Sequence, residues 1–234
     1  MRPLKIVVVT SLDGGVGKTT LSSVLAVAKG YVLMIDADWE KADLSQLFRA
    51  PRKLGWLAPY LDGGRPYVHR VNPMLYLVPG YEAYELYQRH GEEAAAEFAE
   101  ALLDWTEHLP KLVERLRVPV DTVIIDTTAA LRLELLAKLQ KMGAYNIFMA
   151  DRRLISRISD VKAEQYRRYM TYSSAVVVNM LEKDELKIAR KIAPIVLKRV
   201  KMDDYYGESV ANAVLRDRDN KRAVENILLR VKTS

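Results

Sequence analysis

The sequence predicts an α/β fold: a doubly wound, mostly parallel seven-stranded sheet with helices on both faces, forming one domain over residues 1–234. Three observations carry this expectation. Short apolar, β-branched runs recur along the chain. The runs are continuous rather than alternating in polarity, as strands covered on both faces require. Helical stretches lie between them and supply the crossovers that parallel strands need. With 234 residues, 50% of them hydrophobic and 28% charged, the chain has the composition of one globular domain with a core of ordinary size.

The first strand is expected at Leu4 to Thr10. A glycine-rich segment follows it, and then a helix from Thr19 to Lys29 that Gly30 ends. Tyr31 to Asp36 reads as the second strand. From Pro51 to Pro79 the chain is rich in Pro, Gly and aromatic residues and reads as a long excursion around one short strand, Leu75 to Val78. Glu92 to Leu116 has helical spacing, with Ala94, Ala95, Ala96, Phe98, Ala99, Leu102 and Leu103 giving an apolar face expected to serve the core, and Pro110 is expected to break or kink it. Strands at Thr122 to Asp126, Tyr145 to Ala150, Ala175 to Asn179 and Ile195 to Val200 then alternate with helices at Leu131 to Met142, Ser159 to Met170, Asp184 to Ile192 and Asp219 to Val231.

Composition excludes several classes of function. There is no cysteine, which removes disulfides, thiolate catalysis, Cys-ligated zinc and iron–sulfur clusters. His69, His90 and His108 are too far apart in sequence for a helical metal pair. No apolar stretch reaches the ~18 residues of a membrane span, and Met1 to Lys5 lead into a strand without an apolar leader, so the protein is expected in the cytoplasm. The net charge of +6 is unevenly spread: residues 151–201 hold 13 basic and 6 acidic side chains. A basic third on a near-neutral remainder can hold a polyanion such as DNA through phosphate contacts, or it can be a solvated helical face.

The glycine-rich segment carries the clearest chemistry. Ile6 to Val9 lead into Ser11, Leu12, Asp13, Gly14, Gly15, Val16, Gly17, Lys18, Thr19 and Thr20, and a helix begins at once. Glycines let backbone N–H groups turn inward around phosphate oxygens. Lys18 can reach the β- and γ-phosphates, the Thr19 hydroxyl is placed for Mg2+, and the helix N-terminus adds a favourable dipole. Leu12 stands where the common phosphate-loop pattern has glycine. Asp36 and Asp126 each close an apolar strand, where a carboxylate either caps the next turn or faces the ligand crevice of a parallel sheet.

The segment Gly14 to Thr20 resembles the deviant Walker A motif of the ParA/MinD family of P-loop ATPases, and the order of motifs is similar over nearly the whole chain. The resemblance implies an ATP- and Mg2+-binding fold in which Gly14, Gly15, Val16, Gly17, Lys18, Thr19 and Thr20 hold the phosphates. Val32 to Asp38 resembles the second strand and first switch, which implies that Asp38 positions the attacking water and that Asp36 lies near the metal. Val123 to Thr128 is similar to the Walker B strand, which places Asp126 behind the metal shell, with Thr19 on the metal. Val176 to Asn179 resembles the strand whose terminal asparagine reads the adenine edge. Tyr205 to Val210 and the helix after them resemble the family's C-terminal portion.

One departure matters. The motif owes its name to a lysine at the place of Asp13, and in the family that lysine reaches across a nucleotide-sandwiched dimer. A carboxylate there calls for another cation, for which Arg152, Arg153 or an arginine of a second copy are candidates. Trp39 stands where the family has a small residue or proline. The resemblance implies a ParA-like ATPase that forms a nucleotide-dependent homodimer and positions DNA or an unidentified cargo or partner protein. Arg167, Arg168, Lys198 and Arg199 are the candidate contacts to non-specific DNA. A MinD-like membrane-cycling protein is the first alternative; those relatives end in an extra amphipathic segment, whereas the apolar residues of Asn220 to Val231 are expected to serve the core. A nucleotide-binding module with impaired hydrolysis is the second. Tyr166, Tyr169 and Tyr172 lie among basic residues and either stack on bases or sit half-buried.

Overall fold

The computed structural model describes residues 4–61, 63–116, 119–154, 162–201 and 206–233. Its centre is one sheet in the order β3-β4-β2-β5-β1-β6-β7-β8. The strands are β1 (Lys5–Ser11), β2 (Val32–Ala37), β3 (His69–Asn72), β4 (Leu75–Val78), β5 (Thr122–Ala129), β6 (Tyr145–Asp151), β7 (Ala175–Leu181) and β8 (Ile195–Lys198). Every pairing is parallel except that of β3 with β4. The sheet therefore has eight strands among the described residues rather than the expected seven. The extra one, β3, is a four-residue antiparallel edge strand with half-exposed, mostly polar side chains, so it shows neither an apolar run nor alternation.

The helices are α1 (Lys18–Lys29), α2 (Asp43–Leu47), α3 (Ala58–Leu61), α4 (Tyr81–His90), α5 (Glu92–Leu116), α6 (Leu133–Lys141), α7 (Lys162–Thr171), α8 (Leu186–Ile192), α9 (Glu208–Arg216) and α10 (Arg218–Thr233). They cover both faces of the sheet, and β-strand alternation decides which residue serves which face. Val8, Leu33, Ile35, Ile125, Phe148 and Val178 meet α5, α6, α7 and α8 on one side. Val7, Val9, Met34, Ile124, Ile147 and Val177 meet α1, α9 and α10 on the other.

Pro110 lies inside α5, which continues through it, so the expected break does not occur. Proline in a helix interior costs about 3 kcal/mol. Leu109 and Val113, on either side of it, are buried against the sheet together with Leu102 and Trp105, and their burial outweighs that cost. The expected helix from Ser159 begins outside the described residues and is present as α7 from Lys162. Tyr205 also lies outside them. In α10, Val224, Ile227 and Val231 are buried against the sheet, as the core reading requires.

Glu82 ties down the start of the Pro51 to Pro79 excursion, which Glu85, Asp104 and Glu208 also bond through Arg52, Tyr60 and Asn72. Glu82, in the first turn of α4, accepts hydrogen bonds from the Gly55 and Leu57 amides at 2.7 and 3.0 Å on the same oxygen. Register then assembles the functional edge. Asp36 of β2 lies opposite Asp126 of β5, and Asp151 of β6 lies opposite Asn179 of β7, all at the carboxyl ends of parallel strands.

Candidate functional site

The loop between β1 and α1 starts this edge. Gly15 and Gly17 take left-handed backbone angles, φ +74° and +92°, which turn the chain tightly into the N-terminus of α1. At Gly17 the absence of a side chain is needed twice over. A Cβ there would lie 2.5 Å from the Asn179 amide nitrogen, which donates to the Val16 carbonyl at 3.0 Å. Asn179, on β7, thus braces the loop through its amide, 163 residues away in sequence. Its side chain also lines a cavity of about 230 Å³ walled by Thr20, Val24, Leu197, Val200 and Val214.

Lys18, the first residue of α1, is 7% exposed and supplies the positive charge facing a group of carboxylates. Thr19 Oγ1 donates to Asp126 Oδ2 at 2.7 Å, and Ser22 Oγ, one turn further along α1, donates to Asp126 Oδ1 at 2.9 Å. Helical spacing sets both hydroxyls on one face, against β5. Asp126 is fully buried. Burial raises its carboxyl to about 6, with Lys18 and the two hydroxyls acting in the opposite direction.

Asp38 is 5% exposed, and its carboxyl is raised to about 7, first by burial and then by the charge of Asp126, against the pull of Lys18. Asp36 is completely buried and uses both oxygens on protein donors. Oδ2 accepts from the amide and hydroxyl of Ser45 at 2.7 and 2.6 Å, and Oδ1 from the Asp38 amide at 3.3 Å. Burial, and then Asp126, raise its carboxyl well above the ordinary range. The Ser45 hydroxyl in turn accepts from the Gly80 amide at 3.0 Å. A Cβ at Gly80 would lie 2.2 Å from the Asp36 carbonyl, so only glycine allows this approach. Asp36, expected near the metal, thus ties the segment carrying Asp38 to α2 and to the end of β4. Trp39, buried and tilted against Phe98 with ring centroids 5.8 Å apart, fixes that segment's far side.

Of the three buried carboxylates, Asp38 and Asp126 feel the charge of Lys18, while Asp36 is held by Ser45 and the Asp38 amide. Among the described residues no group of three or more His, Asp or Glu side chains could hold a metal ion by itself. The donor set nonetheless suits Mg2+, which takes one or two carboxylates and a hydroxyl from protein and its remaining ligands from water and phosphate. Thr19 and Asp126 are the residues that would hold it.

Asp13 does not stand alone at the loop tip. Its carboxylate accepts a hydrogen bond from the Tyr166 hydroxyl on α7, and the charge of Arg153 lies close by. Arg153 is clamped by Asp151 through bonds of 2.8 and 2.9 Å from Nε, and its Nη2 donates to the Gly14 carbonyl at 3.2 Å. Tyr166, Ser45, Ser22, Gly80 and Asp151 are residues that sequence reasoning did not assign to the site. Tyr166 and Tyr169 are buried and packed on Phe148, so they are core residues and present no stacking surface.

The four basic candidates separate. Arg167 and Arg168 are exposed on α7, on one side of the sheet. Lys198 pairs with Asp219 at 2.5 Å and with Asp217 at 3.6 Å, at the start of α10 on the other side, and Arg199 lies 3.6 Å from Glu182. Lys198 and Arg199 also line the cavity that holds Asn179.

A family model described as the CobQ/CobB/MinD/ParA nucleotide-binding domain matches residues 7–228, nearly the entire chain. The chain belongs to this family. Members of the CobQ/CobB/MinD/ParA family are P-loop proteins, and solved structures similar to this chain share its fold at low identity. A plasmid partition protein of Borrelia burgdorferi bound to AMPPNP is 18% identical with a TM-score of 0.64, over 98% of this chain and 99% of that one. The Cyanothece McdA–ATP complex is 18% identical with a TM-score of 0.62, over 99% and 98%. MinD of Aquifex aeolicus is 17% identical with a TM-score of 0.57, over 96% of both chains. Comparison with curated proteins finds none that matches. Among the described residues no helix is long and apolar enough to cross a membrane.

Proposed function

We propose that this chain is a ParA-like, ATP-driven switch: it binds ATP with Mg2+, hydrolyses it, and couples the cycle to the positioning of DNA or a protein cargo. The observation that carries this reading is the loop of Gly14 to Thr20 wrapped on the N-terminus of α1, with the Thr19 hydroxyl 2.7 Å from Asp126. In this arrangement the loop amides and Thr20 take the phosphates, and Lys18 neutralises charge on the β- and γ-oxygens. When bound, Mg2+ supplies further neutralisation of that charge, held through Thr19 and Asp126. Asp38, buried and poised with its carboxyl raised to about 7, orients the attacking water. The Asn179 amide nitrogen is spent on the loop, which leaves its carbonyl oxygen to accept from an exocyclic amine of adenine in the adjoining cavity.

Arg153 supplies the cation that Asp13 removes from the loop, since its guanidinium is already fixed beside Gly14. Arg167 and Arg168 provide the exposed charge for DNA, with Lys198 and Arg199 contributing once their acidic partners are displaced by phosphate. A nucleotide-dependent homodimer and a separate partner or cargo protein complete the proposal. The carboxylate of Asp13 favours one second reading, a nucleotide-binding module that hydrolyses slowly. Steady phosphate release measured with and without DNA separates the two: release stimulated by DNA supports the switch, and an absence of release with tight ATP binding supports the module.

A further inference from the structure

The residue that occupies the place of the family's lysine has been given a partner. The Tyr166 hydroxyl reaches Asp13 Oδ2 across 153 residues of sequence. Tyr166 itself is 2% exposed, and its ring is fixed edge-on against Phe148 with centroids 6.0 Å apart. Asp13 is partly exposed, and Gly14 and Gly15 beyond it are exposed with nothing within 4 Å of where a Cβ would stand. A rigid donor rooted in the core therefore reaches out to the least supported part of the loop. Two further bonds act on the same stretch. Ser11 Oγ donates to the Asp13 carbonyl at 2.7 Å, and Arg153 donates to the Gly14 carbonyl at 3.2 Å.

Glycine-rich backbone carries the largest conformational entropy in the chain, and a phosphate ligand would otherwise have to order it on binding. Fixing the tip beforehand removes that cost from the binding step. The Tyr166 bond also holds the Asp13 carboxylate towards α7, where Arg153 offsets its charge.

We propose that Tyr166 is a positioning residue for the nucleotide phosphates: its hydroxyl holds Asp13, and Asp13 holds the loop tip in the shape that receives them. The proposal rests on the nucleotide-binding reading and deepens it, and Asp13 becomes an anchor in place of a lost charge. Two measurements on the full chain test it. Hydrogen exchange of the Gly14 to Gly17 amides without nucleotide is expected to quicken about tenfold in Tyr166→Phe, while the melting temperature stays within a degree or two because the ring packing is kept. Titration with MgATP is expected to show binding weakened five- to tenfold in Tyr166→Phe and equally in Asp13→Ala. The double variant is expected to be no weaker than either single one, and Asp13→Asn, which keeps an acceptor, to stay within about twofold of the unaltered chain. In turnover the KM rises and kcat holds. Unchanged exchange in Tyr166→Phe, or additive losses in the double variant, overturns the proposal. If the unaltered chain binds no nucleotide, the functional reading falls, and the exchange experiment still decides whether Tyr166 orders the loop.

Discussion

Glu82 offers a prediction whose size and sign follow from its surroundings. Its side chain is 7% exposed; one oxygen accepts from the Gly55 and Leu57 amides, and the other, Oε2, is buried with no hydrogen-bond partner. Burial raises its carboxyl from 4.5 to about 7, against the opposing effect of those amides. The folded protein therefore holds this proton more tightly than the unfolded chain. The stabilisation is fully present below about pH 4.5 and is lost as pH rises through about 7. A shift of roughly 2.5 units corresponds to about 3 kcal/mol between those limits. Glu82→Gln keeps an acceptor for both amides and carries no charge, so it removes the titration. Urea unfolding of both chains at pH 5 and pH 8 measures the effect. The variant is expected to match the parent near pH 5 and to exceed it by about 2–3 kcal/mol at pH 8, with equal m-values. A variant that is less stable than the parent at pH 8, or a difference independent of pH, refutes the reasoning.

Three further outcomes follow from the site. Gly17→Ala places a Cβ 2.5 Å from the Asn179 amide at φ +92°, so it is expected to cost about 1–3 kcal/mol by thermal unfolding and to abolish detectable ATP binding by calorimetry. Thr19→Val deletes the hydroxyl bonded to Asp126, and is expected to remove the gain in affinity that Mg2+ gives to ATP while leaving metal-free ADP binding within about threefold. Charge reversal at Arg167 and Arg168 together is expected to weaken DNA binding in fluorescence anisotropy and to flatten its salt dependence by close to two in slope, with ATP affinity unchanged; an unaltered slope removes α7 as the DNA surface.

Much of this molecule is legible in its sequence because the signals are local. The Ile6 to Val9, Val32 to Ile35 and Val123 to Ile125 runs are apolar on both faces, which central parallel strands must be, and the glycine loop is followed at once by its helix. The order of carboxylates at strand ends could be read for the same reason. β3 could not be read, since His69 to Asn72 forms an edge strand through backbone pairing with β4 and buries little. The continuity of α5 through Pro110 depends on packing against a sheet formed elsewhere in the chain. The bonds of Tyr166 to Asp13, of Asn179 to Val16 and of Ser45 to Asp36 join distant or irregular segments, and no spacing rule reports such pairs. The basic third looked continuous in sequence, yet Arg167 is exposed on α7 whereas Lys198 is paired with Asp219 at the start of α10.

The central claim is that the loop from Gly14 to Thr20 receives the phosphates of ATP with Lys18 facing them. Calorimetric titration of MgATP into the full chain and into Lys18→Ala tests it most directly. Saturable one-site binding to the unaltered chain is expected, with a loss of roughly 10- to 100-fold in the variant, the worth of about 1.5–3 kcal/mol for a charge-assisted contact. Equal affinity in the two proteins, or no heat of binding at millimolar ATP in either, contradicts it.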